Sequence, residues 1–133
     1  VLFRSFSYIH SSATDGRYVF TATVPDNKNK KQFVISKTLM KDWMLSGEFV
    51  PTAEMLKKDR SLGELYVTGM VYEDGKLYAV SKNWNVLVVI DVAQEAVVEA
   101  WGLPEELTDI RGLVKDGSTF EVIDANRVVK LKM

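Results

Sequence analysis

The chain has 133 residues, of which 47% are hydrophobic and 26% are charged, so it can bury a core and is not disordered as a whole. Its 17 basic and 18 acidic residues give a net charge of −1, which offers no electrostatic attraction for nucleic acid or an anionic membrane surface. The longest apolar run, residues 86–92, is interrupted by Asp91 and falls far short of the roughly 20 residues that span a bilayer, and the lack of cysteine excludes disulfides and thiolate chemistry.

The first five residues, Val1–Ser5, need a separate interpretation because the chain does not begin with methionine. Their sequence matches the in-frame translation of a sequencing-library adaptor, GTG CTC TTC CGA TCT, as expected where a reading frame runs off the end of an assembled contig. The alternative is a native strand. We favour the adaptor, exclude these residues from the fold, and expect the natural protein to extend further towards its N-terminus.

A first unit of four predicted strands follows. An Asp-Gly turn separates its first two strands, and Gly supplies the positive φ that such a tight turn requires. A polar loop precedes the third strand, and Pro51 ends the unit. In chain order the segments are Tyr8–Ser11, the Asp15-Gly16 turn, Tyr18–Ala22, the loop Pro25–Lys31, Phe33–Ile35 and Met44–Phe49.

An insertion, residues 52–64, separates the first unit from the next. Thr52–Ser61 has the pattern of a short helix with Thr52 as its N-cap. Together with the loop at Pro25–Lys31, it explains why the first Asp-Gly turn lies 59 residues before the second.

The middle unit repeats in the last part of the chain. Thr68–Val71, the Asp74-Gly75 turn and Leu77–Val80 match Arg111–Val114, Asp116-Gly117 and Thr119–Val122. The offset is 43 residues before the turn and 42 after it, and it stays at 42 from Asn85–Val89 to Arg127–Leu131. In the middle unit Val86–Val92 and Val97–Trp101 supply a third and a fourth strand.

The last unit supplies strands at Ile110–Val114, Thr119–Ile123 and Arg127–Leu131. It has no counterpart of the fourth strand at Val97–Trp101. We interpret Met133 as the natural C-terminus of a ring whose missing strand comes from the N-terminus, with a second truncation as the alternative. The open edge and the uncovered blade face predict a chain that is marginally stable or associates when alone.

A repeat of 42 to 43 residues with four antiparallel strands per unit predicts an all-β fold, a β-propeller fragment of about three blades with the last blade incomplete. A β-sandwich is the alternative, because strands at this spacing serve either fold. The predicted organisation is a blade at 6–51, the insertion at 52–64, a blade at 65–104 and a partial blade at 105–133.

Gly before an apolar strand, an acidic-Gly turn and Leu-Tyr-x-Val resemble the propellers grouped as NHL, SMP-30/gluconolactonase-like and SdiA-regulated-like proteins, which belong with the wider WD40/YVTN-like propellers. In SMP-30-like enzymes an Asn just before that Gly commonly helps to hold a divalent cation at the channel mouth. The matching residues here are Thr68 and Arg111. A guanidinium repels a cation, so the resemblance to the lactonases loses its local support.

Four other features have simple structural interpretations. His10 is the only histidine and is interpreted as a structural residue, not a catalytic base. Lys28–Lys31 is interpreted as a solvated loop tip, with a basic contact site as the alternative. Trp43 and Trp101 lie in or near fourth strands and are expected to pack within blades; exposure in an interaction patch is the alternative.

Trp84 is different, because it lies in a loop where a turn and not a large apolar ring is expected. In propellers this loop and those between blades surround the channel mouth, where recognition is usually found. A stacking ring with amide, carboxylate and guanidinium groups suits a polar small molecule, sugar or peptide. Trp84 as a lid over a neighbouring blade is the alternative. The candidate ligand-binding residues are Asn83, Trp84, Asn85, Asp109, Arg111, Asp124 and Asn126.

Two classes of function follow from these residues. The first is a non-catalytic propeller that binds a ligand or protein; the second is a gluconolactonase-like hydrolase whose catalytic groups lie mostly in missing blades. The lack of an acid, base or metal cluster favours the first, with no cofactor and no metal. The expected partners are the missing N-terminal blades and the polar ligand, not nucleic acid, and an extracytoplasmic location is slightly favoured.

Overall fold

The computed structural model describes residues 9–23, 33–53, 65–81 and 85–132, and the regular structure in these ranges is entirely β. The strands in chain order are β1 (Ile9–Thr14), β2 (Tyr18–Thr23), β3 (Ile35–Leu39), β4 (Met44–Phe49), β5 (Val67–Glu73), β6 (Lys76–Ser81), β7 (Val86–Asp91), β8 (Ala96–Gly102), β9 (Ile110–Asp116), β10 (Thr119–Asp124) and β11 (Val128–Lys132).

Successive strands form three antiparallel sheets. The first contains β1 to β4, the second β5 to β8 and the third β9 to β11, and within each sheet the strands lie in chain order. The first strands of successive sheets pack against each other, β1 against β5 and β5 against β9. This arrangement is that of consecutive propeller blades. Among the described residues the third sheet has three strands, as the sequence predicts.

Most predicted strands lie where the sequence places them, and β3 is the main difference. It begins at Ile35 and runs to Leu39, whereas the sequence analysis places the third strand at Phe33–Ile35. Phe33 and Val34 are buried just before it, and the Val34 carbonyl accepts hydrogen bonds from the backbone N–H and the hydroxyl of Thr23. The apolar residues that suggested a strand therefore lie mostly just before it, and the sequence analysis missed its more polar part, residues 36–39.

The two matched hairpins have turns of equal length, but they use the Asp-Gly pair differently. Asp74 and Gly75 both lie in the turn between β5 and β6, with φ of 51° and 81°, as in a type I′ turn. In the third sheet Asp116 still pairs with Thr119, so the turn begins at Gly117, with φ of 61°. Asp-Gly is thus shifted by one position between the two turns.

This shift corrects the repeat offset that the sequence analysis used after the turn. Gly69 pairs with Val80 in the second sheet, and Gly112 pairs with Ile123 in the third. The offset of 43 therefore continues through the second strand of each unit, where the sequence match predicts 42.

The third strands show the opposite deviation. Val80 pairs with Leu87 of β7, and Ile123 pairs with Val128 of β11, so the third strands are related by an offset of 41 residues. The offset is smaller because the loop between the second and third strands is shorter in the third sheet. Side chains alternate between the two faces of a strand, so an error of one residue reverses every assignment. In β10 the residue equivalent to Leu77 is Phe120, and both are buried; the sequence match had paired Leu77 with Thr119.

The core has two parts, one on each side of the second sheet. Phe20, Ile35, Leu77 and Ile90 belong to the cluster between the first and second sheets. Between the second and third sheets the buried residues are Val80, Leu87, Val89, Leu103, Leu107, Ile110, Leu113, Phe120 and Val122. Each of these sheet faces is buried against its neighbour, so the second sheet holds the other two together.

The first strands of the second and third sheets approach closely at two glycines. A Cβ on Gly69 would lie 2.7 Å from the carbonyl carbon of Gly112 and 2.7 Å from the amide nitrogen of Leu113. No side chain fits at that distance, so glycine is required at position 69 for the contact. The Thr68 hydroxyl donates a 2.7 Å hydrogen bond to the Ile110 carbonyl across the same boundary.

Thr52, the predicted N-cap, forms a parallel β-bridge with Ala96 at the outer strand of the second sheet. Its N–H donates to the Glu95 carbonyl, and its own carbonyl accepts from the N–H of Val97. The remainder of the predicted helix, from residue 54 onwards, lies outside the described residues. In the part of the chain that is described, no helix is long and apolar enough to cross a membrane.

Candidate functional site

Strand ends at one edge of the sheets carry most of the candidate ligand-binding residues. β6 ends and β7 begins at this edge, which in the third sheet also holds the start of β9, the end of β10 and the start of β11. The Asp-Gly turns lie at the opposite edge. We call the edge that carries Asn85, Asp109, Asp124 and Asn126 the entry edge.

Asp124 fixes the backbone of this edge. The residue is 5% exposed, and its Oδ2 accepts a 2.9 Å hydrogen bond from the N–H of Asp109, while its Oδ1 accepts one of 3.3 Å from the N–H of Asn126. The N–H of Ala125 donates to the Asp109 carbonyl at 3.0 Å. One carboxylate therefore joins the segment that enters β9 to the loop between β10 and β11.

The same hydrogen bonds keep the Asp124 carboxylate charged. The backbone N–H of Asp109 is the main cause that lowers the pKa of Asp124, with smaller contributions from the Asn126 N–H and the positive charge of Arg127. Burial acts in the opposite direction and does not prevail. Asp124 is thus an ionised acceptor near neutral pH and does not supply a proton there.

Arg111 projects from β9 beside this loop. Its Nη2 lies 2.9 Å from Oδ2 of Asp109, and its side chain is 67% exposed. The hydrogen bond from Arg111 to Asp109 is the main cause that raises the pKa of the guanidinium. Asp109 therefore orients a permanently charged, solvent-accessible group at the entry edge.

The structure thus brings together four of the predicted site residues: Asp109, Arg111, Asp124 and Asn126. Asn85 lies at the same edge of the second sheet, where its side-chain amide donates to the Pro104 carbonyl at 2.9 Å and its own carbonyl accepts from the N–H of Leu103. Its contacts hold the connection that leads from β8 towards β9. Asn83 and Trp84 lie outside the described residues.

The positions raised by the resemblance to metal-dependent lactonases have other contacts. The Thr68 hydroxyl is hydrogen-bonded to Ile110, and Arg111 is paired with Asp109. Within the described ranges, no group of three or more His, Asp or Glu residues could hold a metal ion. His10 lies in β1, and its side chain is outside the described part of the structure. Residues Lys28–Lys31 are also outside the described part.

The expectation that Trp43 and Trp101 pack within blades is wrong. Trp43 lies in the turn between β3 and β4 at a φ of 57°, and it is 63% exposed at this chain reversal. Trp101 lies in β8 and is 43% exposed, since the third sheet has no fourth strand opposite it among the described residues. Its indole N–H donates a 2.9 Å hydrogen bond to Glu99.

Sequence reasoning missed a surface depression between the second and third sheets. Trp101 and Glu99 form one wall of it, and Lys115 of β9 forms part of the other. The Lys115 ammonium lies 5.3 Å from the ring centre of Tyr78 and 5.4 Å from that of Phe120. A large aromatic residue at the end of an outer strand was the one sequence signal that pointed here. The lining residues are Tyr78, Leu87, Glu99, Trp101, Lys115, Gly117, Ser118 and Phe120.

Sequence comparison finds no matching protein family and no matching curated protein. Solved structures do match in fold. The glutaminyl cyclase of Myxococcus xanthus has a TM-score of 0.62 and 18% identity over 92% of this chain and 47% of its own. Hsv2 of Kluyveromyces lactis has a TM-score of 0.60 and 8% identity over 94% of this chain and 32% of its own. The WD40 repeats of RRP9 have a TM-score of 0.52 and 17% identity over 95% of this chain and 36% of that chain.

These likenesses define the fold class. The chain is all-β and forms three consecutive blades of a β-propeller, the last with three strands among the described residues. It spans from 32% to 47% of the length of the three solved chains. At such low identity the comparison carries fold alone, because one propeller scaffold serves many unrelated functions.

Proposed function

We propose that this propeller segment is a non-catalytic binding module whose entry edge recognises a polar organic ligand or peptide bearing a carboxylate. The observation that carries the proposal is the Arg111 guanidinium, which is 67% exposed and held at 2.9 Å by Asp109. A guanidinium has five N–H donors in a fixed plane, so its contact with one carboxylate leaves others free for a ligand.

Preorganisation of the surrounding loops supports this proposal. The buried Asp124 carboxylate holds both Asp109 and the loop at Asn126 through backbone N–H groups. Arg111 is therefore presented from a backbone that does not have to become ordered on binding, which reduces the entropic cost of association. Asn85 supports the same edge through its hydrogen bond to the Pro104 carbonyl. Asn83 and Trp84 stay in the proposal from the sequence alone, with the Trp84 ring proposed as a stacking surface for the ligand.

The gluconolactonase-like alternative receives less support from the same residues. A hard divalent cation needs several oxygen ligands, whereas Thr68 uses its hydroxyl as a donor to Ile110 and Arg111 carries a positive charge. Asp124, the most buried carboxylate at this edge, has a lowered pKa and is suited to accepting hydrogen bonds, not to general acid catalysis at neutral pH.

We further infer that the chain belongs with the NHL, SMP-30-like and SdiA-regulated-like propellers. The inference rests on Gly69 and Gly112 before apolar strand residues, and on the Gly-containing turns that follow. The proposal includes a location outside the cytoplasm, where the chain would bind a soluble ligand. Recovery of a longer reading frame would test it by its blade number and any signal peptide.

Fluorescence anisotropy with labelled tetrapeptides tests the proposed recognition. Each peptide in a mixed-sequence set is prepared with a free C-terminal carboxylate and, as the matched probe, with a C-terminal amide. We expect at least one sequence to bind in the free form and to lose roughly tenfold or more in affinity when amidated, as for a charge-assisted hydrogen bond.

Two arginine variants give the matched control on the protein. Arg111→Gln should weaken binding of the free-carboxylate peptide by a similar factor, while Arg17→Gln, which removes an exposed arginine from the turn between β1 and β2 at the opposite edge, should leave it unchanged. Equal binding of free and amidated peptides, or equal effects of the two variants, would disprove the role of Arg111.

A further inference from the structure

The turn between β3 and β4 holds a large aromatic side chain in an unfavourable position. Trp43 is the last residue of this four-residue turn, with a φ of 57°, and its side chain is 63% exposed. A positive φ strains a bulky residue and favours glycine. An exposed ring also forgoes most of the free energy that burial would supply. Trp43 is thus unfavourable for folding on two counts, and backbone strain of this kind points to a function.

The equivalent turn of the second sheet shows that this exposure does not depend on what precedes the first sheet. That turn also has four residues and ends at Glu95, whose φ is 54°. The Glu95 carbonyl accepts a 2.9 Å hydrogen bond from the N–H of Thr52, in the segment that follows the first sheet, yet the Glu95 side chain remains exposed. A segment docked in the same way on the first sheet would leave Trp43 exposed too.

Two methionines enlarge the apolar surface around Trp43. Met40, the first residue of the turn, is 37% exposed, and Met44, which follows Trp43, is 52% exposed. We call Met40, Trp43 and Met44 the apolar tip. An open depression of about 540 Å³ adjoins it and is lined by Gly16, Arg17, Leu39, Met40 and Lys41. The apolar tip therefore lies next to two cationic side chains.

Three cations lie at this edge of the first sheet, although the whole chain has a net charge of −1. Arg17 and Lys41 line the depression. The ammonium of Lys37 lies 4.0 Å from the ring centre of Tyr18, and the guanidinium of Arg17 lies 5.3 Å from the same centre. Among the described residues, none of the three cations forms an ion pair with a carboxylate.

The two nearby carboxylates are bound within their own turns. Oδ1 of Asp15 accepts hydrogen bonds of 2.8 and 2.7 Å from the N–H groups of Arg17 and Tyr18. Oδ1 of Asp42 accepts one of 3.0 Å from the N–H of Met44. Both carboxylates stabilise turn backbone. The edge therefore keeps an excess of one positive charge, carried by side chains that are long enough to reach outwards.

We propose that the apolar tip inserts into the surface of an anionic lipid bilayer, where Arg17, Lys37 and Lys41 contact the headgroups. Tryptophan favours the boundary between headgroups and acyl chains, and lysine and arginine place their alkyl stems there while their charges stay in water. Anionic lipids attract cations close to the bilayer surface.

The small size of the apolar tip favours a bilayer over a protein partner. A stable protein interface buries about 800 Å² on each partner, which requires many more residues than one turn supplies. A fluid bilayer needs only apolar side chains that project from the surface, with cations around them. The proposed contact lies at the edge opposite Arg111 and does not depend on recognition by that residue.

Vesicle flotation of the 133-residue chain tests the proposal, because vesicles rise through a sucrose gradient and a self-associated chain does not. The vesicles contain either phosphatidylcholine alone or an equal mixture of phosphatidylcholine and phosphatidylglycerol. At low salt we expect the floated fraction to be roughly fivefold or more larger with the anionic vesicles, and to fall as salt is added. Absence of flotation with both vesicles would overturn the proposal and assign the apolar tip to a protein partner.

Glycine variants of the two equivalent turns separate binding from strain. Trp43→Gly and Glu95→Gly each relieve a positive φ, so neither should lower Tm. We expect Trp43→Gly to reduce the floated fraction on anionic vesicles roughly fivefold or more, and Glu95→Gly not to reduce it. Equal reductions, or an unchanged floated fraction for Trp43→Gly, would overturn the role of the tryptophan.

Lysine variants test the contribution of charge. Lys41→Gln should reduce the floated fraction about threefold or more at low salt, and Lys41→Arg should retain it. Lys130→Gln is the matched control, because Lys130 is a 74% exposed lysine of the third sheet, and it should have little effect. Equal effects of the two glutamine variants would show a general response to net charge and overturn the proposed headgroup contact. Peptide binding through Arg111 should be the same in Lys41→Gln as in the parent, so the two proposals can fail separately.

Discussion

Lys115 of β9 and Glu73 of β5 form an ion pair across the boundary between the second and third sheets, with Nζ 2.5 Å from Oε1. The lysine side chain is 9% exposed and the glutamate 40%. Lys115 also donates to the Gly117 carbonyl beside it. A buried ammonium is costly unless it is paired, so this contact contributes to docking of the third sheet.

Removal of the charge on Glu73 should therefore weaken the boundary. We expect Glu73→Gln to lower the free energy of unfolding by about 1 kcal/mol, a value kept small because Glu73 is partly solvated. The measurement is urea unfolding followed by circular dichroism. Glu121→Gln is the control, since its partner Lys130 lies 3.8 Å away and is 74% exposed. Equal losses for the two variants would show that the buried position of Lys115 has no special importance.

Aromatic residues at the ends of β4 and β8 should differ in their contribution to stability. Phe49 pairs with Ile35 as Trp101 pairs with Leu87, so the two occupy the same register position. Phe49 packs against the core between the first and second sheets, whereas Trp101 is 43% exposed. We expect Phe49→Ala to cost about 2 to 3 kcal/mol and Trp101→Ala about 1 kcal/mol or less.

Denaturant unfolding of both alanine variants under the same conditions measures this difference. Phe49→Leu, which keeps an apolar side chain at the same position, should recover most of the loss if packing is the cause. A cost for Trp101→Ala that equals or exceeds that of Phe49→Ala would contradict the explanation by strand covering.

Asp124 should make stability depend on pH in the acid range. Its pKa is lowered in the folded chain, mainly by the Asp109 N–H, so its contribution is fully present above the ordinary carboxyl pKa of about 4 and is lost as the pH falls through the folded value. We expect Asp124→Asn to lower Tm at pH 7, and the gap between variant and parent to close below about pH 4.

Thermal melts between pH 7 and pH 2.5 measure that gap. Asp116→Asn, which removes a carboxylate from the turn edge of the same sheet, controls for the change in net charge. A gap that stays constant down to the lowest pH would mean that the ionised form of Asp124 is not what stabilises the loops.

Self-association should depend on the outward face of the third sheet. Val128 is 57% exposed in β11, an edge strand in the part of the chain that the structure describes. Edge strands with apolar side chains promote association, and lysine opposes it. We expect Val128→Lys to raise the monomer fraction in sedimentation velocity, and Val50→Lys, at a 47% exposed valine elsewhere, to have a smaller effect. Equal effects would indicate a general increase in solubility.

Much of the fold could be predicted from sequence because its signals are local. β-branched and aromatic runs predict the strands, and glycine in each turn meets a steric requirement that holds in any context. Register could not be predicted in the same way. The Asp-Gly pair occupies different turn positions in the two hairpins, and a shift of one residue reverses the faces of β10, so burial of Phe120 depends on pairing that local residues do not encode.

The candidate site shows the same division. The grouping of Asp109, Arg111 and Asp124 could be expected, since loops at one edge of successive blades point the same way. The role of Asp124 as a buried acceptor of backbone N–H groups could not, because it depends on the distance between two loops. Exposure of Trp101 was likewise outside local reasoning, because it depends on whether another strand lies opposite.

The positions of Trp43 and Trp101 affect how unfolding of this chain can be followed. Two of its three tryptophans have indole rings that are 63% and 43% exposed in the folded state, at the outer parts of the first and second sheets. We expect the emission of these two exposed rings to be close to that of indole in water and to shift little when the sheets separate. The fluorescence of Trp43 and Trp101 will therefore report on the periphery, while the tyrosines at positions 72 and 78, which pack in or beside the two cores, should give a near-ultraviolet dichroism that reports on docking of the blades.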